Sequence, residues 1–286
     1  MATVSLMARA SRSSSQRFPV DSGVAEIRWD GPRATLLLDS VESSCIDVDD
    51  PTRLEFEYMQ HMTCALNATF PQPQPVKALH LGGAACALAT AWALSRPRSR
   101  QNAVEIDAAL AQLVREEFPI PRAPELKIRI GDARAVLEGA RPSSFDVIVR
   151  DAFADALVPE HLRTSESAQH AYRVLRPGGL YLLNCAHGAG SDARIDLAAV
   201  AETFDSVCSI QDPKVGRSGR RGNVVLVASK KNEDGAIALD VDELDRLLRR
   251  LPLPARVMRQ ADLGQWRAGM RPLVDELIGW PKLNES

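Results

Sequence analysis

The stretch VKALHLGGAACALATAWALS, residues 76–95, decides how the chain is read. Its first six residues are mostly apolar. They are bounded by the proline-rich FPQPQP (70–75) on one side and by Gly82-Gly83 on the other. A short apolar run bounded in this way reads as a strand buried on both faces. The glycines allow a sharp strand-to-helix turn, and ALATAWALS (87–95) follows as a helix.

The same texture continues downstream. QNAVEID (101–107) is a strand ending in two acids, and AALAQLVREEF (108–118) is a helix. LKIRIGDA (126–133) and FDVIVRDAF (145–153) are strands. SAQHAYRVLRPGG (167–179) is a helix stopped by Pro177-Gly178-Gly179, and LYLLNC (180–185) is a fifth strand. FDSVCSI (204–210) and NVVLVAS (223–229) close the series as a pair that runs antiparallel to the rest. Strands alternating with helices imply βαβ units, hence an α/β fold with a doubly wound, mostly parallel seven-stranded sheet.

Ahead of it, VAEIRW (24–29) and RATLLLDS (33–40) are joined by the turn signal Asp30-Gly31-Pro32, which predicts a small antiparallel β-hairpin. RLEFEYMQHMTCAL (53–66) has apolar residues at helical spacing, with Asp50 and Thr52 as candidate N-caps. The division expected is a disordered arm over 1–20, a hairpin and helix segment over 21–70, a Rossmann-like nucleoside-binding domain over 71–235, and carboxyl-terminal helices packed on the sheet over 236–286. Those last helices lie in DVDELDRLLRRL (240–251) and around Gln265 to Leu277.

A net charge of −2 gives no general attraction to nucleic acid or to an anionic membrane. No apolar run reaches the roughly 18 residues of a membrane span. The five cysteines, Cys45, Cys64, Cys86, Cys185 and Cys208, are scattered and form no C-x-x-C pair. They read as reduced, buried thiols of a cytoplasmic protein with no metal site. His161, His170 and His187 lack metal-ligand spacing, and His80 reads as a packed residue inside its strand. The basic run Arg217–Arg221 reads as a solvated loop.

In an open α/β sheet, ligands bind beyond the carboxyl ends of the strands. Here four consecutive strands end in glycine or acid: Gly82-Gly83, Glu105-Ile106-Asp107, Gly131-Asp132 and Asp151. Gly82 and Gly83 let a ligand approach the backbone. Glu105 lies about 20 residues further on, where a carboxylate accepts from ribose hydroxyls. Asp107 is the better N-cap for the next helix, which leaves Glu105 for a ligand. Asp132 can accept from an exocyclic amine such as adenine N6, or cap the helix ARAVLEG. Asp151 and Asp155 can face a ligand, or can cap a helix and sit in solvent. The glycine loop is not G-x-G-x-x-G, so it favours a nucleoside without a diphosphate, of the S-adenosylmethionine class, over NAD or FAD.

LLLDSVESSCID, LEFEYMQHM, LHLGGAA, VEID, GDAR, FDVIVRDAF and VLRPGGLYLLN occur in an order and spacing that resemble the spermidine synthase-like aminopropyltransferases, over residues 24 to 230. The glycine loop and VEID alone are similar to any class I S-adenosylmethionine-dependent methyltransferase. The resemblance implies transfer of an aminopropyl group from decarboxylated S-adenosylmethionine to a small-molecule amine such as putrescine, in polyamine biosynthesis, with release of methylthioadenosine. It implies Glu105 at the ribose, Asp132 and Ala133 at the adenine, Gly82 and Gly83 along the nucleoside, Asp151 beside the transferring group, and Tyr58 near the amine. It also implies a homodimer.

The chain departs from the family pattern at several points. Ala85 stands where an acid would receive the donor's amine. Asp151-Ala152-Phe153-Ala154 replaces D-S-S-D, with Asp155 one residue late. Ser43 and Met59 replace a glutamine and a histidine. The nucleoside half is therefore better kept than the amine half. Three readings stay open: an aminopropyltransferase, a methyltransferase using intact S-adenosylmethionine, and a non-catalytic nucleoside-binding homologue.

Overall fold

The structure is a computed structural model that describes residues 14–154, 157–188, 190–211, 215 and 221–281. Strands β1 (Ser14–Val20), β2 (Gly23–Asp30), β3 (Arg33–Leu38) and β4 (Val41–Asp47) form an antiparallel sheet in chain order. Ala25, Ile27 and Trp29 on β2 alternate inward and pack with Leu36 and Ile46, as a sheet with one buried face requires. Helix α1 (Glu57–Thr69) lies between this sheet and the main one, burying Met62, Ala65 and Leu66 in the same core.

The main sheet has eight strands in the order β12-β10-β11-β9-β8-β5-β6-β7. Here β5 is Lys77–Leu81, β6 Arg100–Glu105, β7 Leu126–Ile130, β8 Phe145–Arg150 and β9 Leu175–His187. The strands β10 (Ser206–Gln211), β11 (Gly222–Ser229) and β12 (Arg256–Met258) complete it. Strands β5 to β9 pair in parallel, and β11, β10 and β12 add on antiparallel. Helices α2 (Ala87–Ser95), α3 (Ala108–Glu117) and α7 (Val241–Leu248) cover one face together with α1. Helices α4 (Ala133–Glu138), α5 (Ser165–Val174), α6 (Ala193–Thr203) and α8 (Gln260–Arg267) cover the other. Burial on both faces is why the central strands read as unbroken apolar runs.

Several expectations are corrected. The sheet has eight strands, not seven, because the three-residue β12 is too short to show a period in sequence. Of the arm expected to be disordered, residues 14–20 form β1, paired with β2 along its whole length; the earlier residues lie outside those described. The N-terminal segment is consequently a four-stranded sheet rather than a lone hairpin. Helix α1 begins at Glu57 with Phe56 at its N-cap, while Asp50 accepts instead from Thr52 in a local turn. Helix α5 ends at Val174, and Arg176 to Gly179 belong to β9, because Leu175 is already paired with Phe145 on β8. The helix expected near Gln265 to Leu277 is split into α8 and α9 (Asp275–Ile278) by left-handed Ala268 and Gly269. The five cysteines are free and buried. No helix among the described residues is long and apolar enough to cross a membrane.

Strand order reverses between β5 and β8, since the chain winds outward from β5 to β7 and then crosses back. That is the switch point at which a doubly wound sheet opens a crevice. The strand beside it is held from below. Arg150, 1% exposed, donates to Asp196 Oδ1 at 2.5 Å, to the Leu162 carbonyl at 3.2 Å and to the Asn184 carbonyl at 3.3 Å. Arg163 reaches the other oxygen of Asp196 at 2.9 Å. Truncating one partner of a buried ion pair strands the other charge in the core, at a cost of about 3–5 kcal/mol. Asp196→Ala is therefore expected to lose stability of that order, measured by urea unfolding.

Candidate active site

Each site residue sits where a strand of the main sheet runs out. Val104 of β6 accepts from the Gly82 amide at 3.1 Å, and Leu81 of β5 accepts from the Asp151 amide at 2.9 Å. The two loops leave the sheet back to back. Gly82 has φ +101°, and a Cβ there would lie 2.2 Å from the Asp151 carbonyl oxygen. Only glycine fits this contact and this conformation. Above the crevice lies a cavity of about 1000 Å3, roofed by the β1–β2 and β3–β4 turns and by the start of α1.

Asp151 is the centre of one half of the cavity. Its Oδ2 accepts from the Tyr58 hydroxyl at 2.8 Å, and its Oδ1 accepts from Asn184 Nδ2 at 2.9 Å. Burial pushes the Asp151 carboxyl above its ordinary value, against the pull of the Asn184 and Tyr58 bonds and of the Arg150 charge. Tyr58 is held well above its usual range by burial and by the neighbouring carboxylate, so it stays a neutral donor. Asn184 is 3% exposed and its Oδ1 has no partner among the described residues. An unpaired buried carbonyl beside a cavity is an acceptor waiting for a donor. Met59, Phe56 and Phe153 give this half an apolar wall. Asp155 lies outside the described residues.

The other half of the cavity is built from Glu105, Asp107 and Asp132. Glu105 Oε2 accepts from the amides of Gly83 (3.2 Å) and Ala84 (3.0 Å), and its Oε1 from the amide of Asp107 (3.1 Å). It is less free than its position in sequence indicates, because the turn of the glycine loop brings two amides onto it. The bonds hold the carboxylate at the cavity wall, where Oε1, with a single donor, keeps a lone pair for a hydroxyl. Asp107 caps α3 through Leu110 (2.7 Å) and also accepts from the Ser22 amide and hydroxyl at 2.8 and 2.6 Å. Burial alone raises its carboxyl, but these bonds outweigh burial and lower it. The adjoining Asp21 accepts from Ala108 and Ala109. The β1–β2 turn thus docks on the start of α3 and closes this side of the cavity.

Asp132 caps α4 through Ala135 (2.8 Å), and its Oδ2 lies 3.2 Å from His161 Nε2. One oxygen of Asp132 thus caps the helix, and Asp132 and Ala133 both line the cavity. Ile106 lines the cavity at 68% exposure, an apolar surface between two acids. Ala85, matched to a family acid, is 0% exposed and packed in the core. Left-handed Ala84 and Cys86 on either side of it bring those two residues to the cavity instead. Sequence reasoning missed Asn184, His161, Ile106 and Ser22. The strand-end rule that found Asp151 also marks Asn184, a lone amide closing LYLLN level with it on the neighbouring strand.

No family model matches the sequence. The polyamine aminopropyltransferase of Vibrio vulnificus (strain CMCP6) is 30% identical over 134 residues, 46% of this chain and 44% of that one, so the match spans less than half the length of that relative. Human methyltransferase-like protein 13, solved in complex with SAH, shares the fold alone, at 22% identity and TM-score 0.52 over 68% of this chain and 94% of that one. A probable spermidine synthase from Corynebacterium glutamicum ATCC 13032 superposes with TM-score 0.83 at 33% identity, over 96% of this chain and 100% of the other. With that similarity along nearly the whole of both chains, the protein belongs to the spermidine synthase-like family of aminopropyltransferases.

Proposed function

We propose that the protein transfers an aminopropyl group from decarboxylated S-adenosylmethionine to an amine such as putrescine and releases methylthioadenosine. One observation carries the reading: at the switch point, Asp151 is fixed by Tyr58 and Asn184 across from the glycine loop and Glu105. The donor's ribose lies on Glu105 and its adenine on Asp132 and Ala133. The sulfonium then sits over Gly82 and Gly83, next to Asp151.

An amine with a pKa near 10 is mostly protonated and must release a proton before it can attack. Ionised Asp151 accepts the ammonium's hydrogen bond, and Asn184 Oδ1 is placed to accept a second. The amine lone pair forms a bond to the carbon on sulfur, the C–S bond breaks towards sulfur, and a neutral thioether leaves. The proton lost from nitrogen passes to Asp151 or to water. No new charge is created on the donor side, so alignment is the chief requirement. Methyl transfer from intact S-adenosylmethionine is a second reading, favoured by the burial of Ala85, which leaves the glycine loop without an acid to select the decarboxylated donor.

The readings separate by ligand. Decarboxylated S-adenosylmethionine and methylthioadenosine are expected to raise the melting temperature, and a ligand at 100 times its dissociation constant adds about 2.7 kcal/mol. A shift with intact S-adenosylmethionine of equal size turns the choice to methyl transfer. With donor and putrescine together, methylthioadenosine should accumulate. Asp151→Asn should lower kcat/KM by roughly 10²-fold or more while the protein stays folded, read from product release and circular dichroism. Glu105→Ala should weaken nucleoside affinity by about tenfold or more, read by calorimetry, as expected for loss of a charged hydrogen-bond acceptor.

The raised Asp151 carboxyl also has a pH signature. The unfolded chain releases this proton near pH 3.9, before the folded one does. Its contribution to stability is present below that pH and is lost as pH rises through the folded value. Asp151→Asn is neutral throughout. In urea unfolding across about pH 4 to 7, the variant should therefore gain stability relative to wild type as pH rises.

A further inference from the structure

At one end of the cavity, a distant part of the chain packs against a residue that lines it. The ring of Trp280 stacks on His161, with centroids 4.4 Å apart and planes 10° from parallel. His161 lines the cavity, and its Nε2 lies 3.2 Å from Asp132 Oδ2. The segment carrying Trp280 is pinned a few residues earlier by Asp275, which accepts from Arg134 Nη2 at 2.5 Å and from the Thr164 hydroxyl at 2.7 Å. Arg134 directly follows Ala133 and is 1% exposed. It also donates to the His161 carbonyl at 2.7 Å, and it lies 5.8 Å from the Trp280 ring. Trp280 Nε1 in turn reaches Glu138 at 3.4 Å, at the end of the helix that Asp132 caps.

We propose that His161 is a nucleobase-recognition residue and that Asp275–Trp280 is the latch that positions it. The inference rests on the nucleoside reading of the cavity. Asp132 Oδ1 is turned to the Ala135 amide of the helix, whereas Oδ2 is turned to the cavity-lining His161, so recognition of an exocyclic amine falls to Oδ2. A carboxylate oxygen accepts two donors. His161 takes one position and fixes the carboxylate's rotation, leaving the other lone pair directed at the purine 6-amino group. His161 itself is held by ring stacking on one face, worth a specific geometry beyond buried area. Recognition of a 6-aminopurine nucleoside therefore depends on a residue more than a hundred positions away, through the ring between them.

A purely architectural latch would support folding without affecting which base is bound, so base preference is the discriminating measurement. Dissociation constants for methylthioadenosine and methylthioinosine are to be measured by calorimetry on the full chain and on Trp280→Ala, Trp280→Phe and His161→Phe. Wild type is expected to prefer the 6-amino nucleoside. Trp280→Ala should weaken methylthioadenosine about tenfold and lose most of that preference, a loss on the scale of one charged hydrogen bond. Trp280→Phe, which keeps the stack, should restore most of both. His161→Phe keeps the ring and removes the N–H, so it should lose the preference even if Trp280→Ala fails to fold. Wild-type binding with unchanged preference in His161→Phe overturns this inference alone. Failure of wild type to bind either nucleoside overturns the nucleoside reading and this inference with it.

Discussion

Residue 82 has no room for a side chain, because the carbonyl oxygen of Asp151 occupies that space at 2.2 Å from where a Cβ would be. This contact sets the distance between the loops that leave β5 and β8. It brings the end of one strand, with its glycines, directly against the end of the other, with its acid. Everything in the crevice is placed relative to that pair. A wider separation would take Asp151 away from the glycine loop, and the Gly82 and Asp151 amides would lose the bonds that terminate each strand.

Two neighbours in sequence, Arg150 and Asp151, illustrate how a strand divides charge between opposite faces. Arg150 turns into the protein and is neutralised by Asp196, which Arg163 also holds. Asp151 turns to the cavity and, among the described residues, accepts from two neutral donors, Tyr58 and Asn184. The buried cation is thus spent on Asp196, while the carboxylate that faces the cavity is organised by hydrogen bonds from groups that carry no charge. Such an acid is oriented yet still free to bind a cationic ligand, and desolvation keeps its proton affinity above that of an exposed aspartate.

The small N-terminal sheet completes the site from above. Its β1–β2 turn caps the start of α3 twice over, with Asp21 on Ala108 and Ala109 and with Ser22 on Asp107. Helix α1 then presents Tyr58 from the opposite side. The carboxyl-terminal segment stays outside the cavity and backs one of its lining residues, with Trp280 stacked on His161. The cavity of about 1000 Å3 thus has the carboxyl ends of the parallel strands as its floor and the N-terminal sheet and α1 as its roof.

The main sheet was legible in the sequence because strands buried on both faces leave unbroken apolar runs, and their carboxyl ends are punctuated by glycines and acids. On that basis Gly82, Glu105, Asp132 and Asp151 were found as the ends of four strands, and they do gather around one cavity. What periodicity could not reveal were elements too short or too polar to carry a period, namely β1 and β12, and the split between α8 and α9. Nor could it reveal partners. The pairing of Tyr58 with Asp151 spans 93 positions, and that of Arg134 with Asp275 spans 141. A one-dimensional pattern records which face of its own element a side chain occupies. Which side chain it meets there depends on how the elements pack. The sequence alone determined the alternation of strands and helices and the line of acids at the sheet's edge. Tertiary structure alone decided that Asn184 joins Asp151, that Ala85 turns inward, and that His161 stands between Asp132 and Trp280.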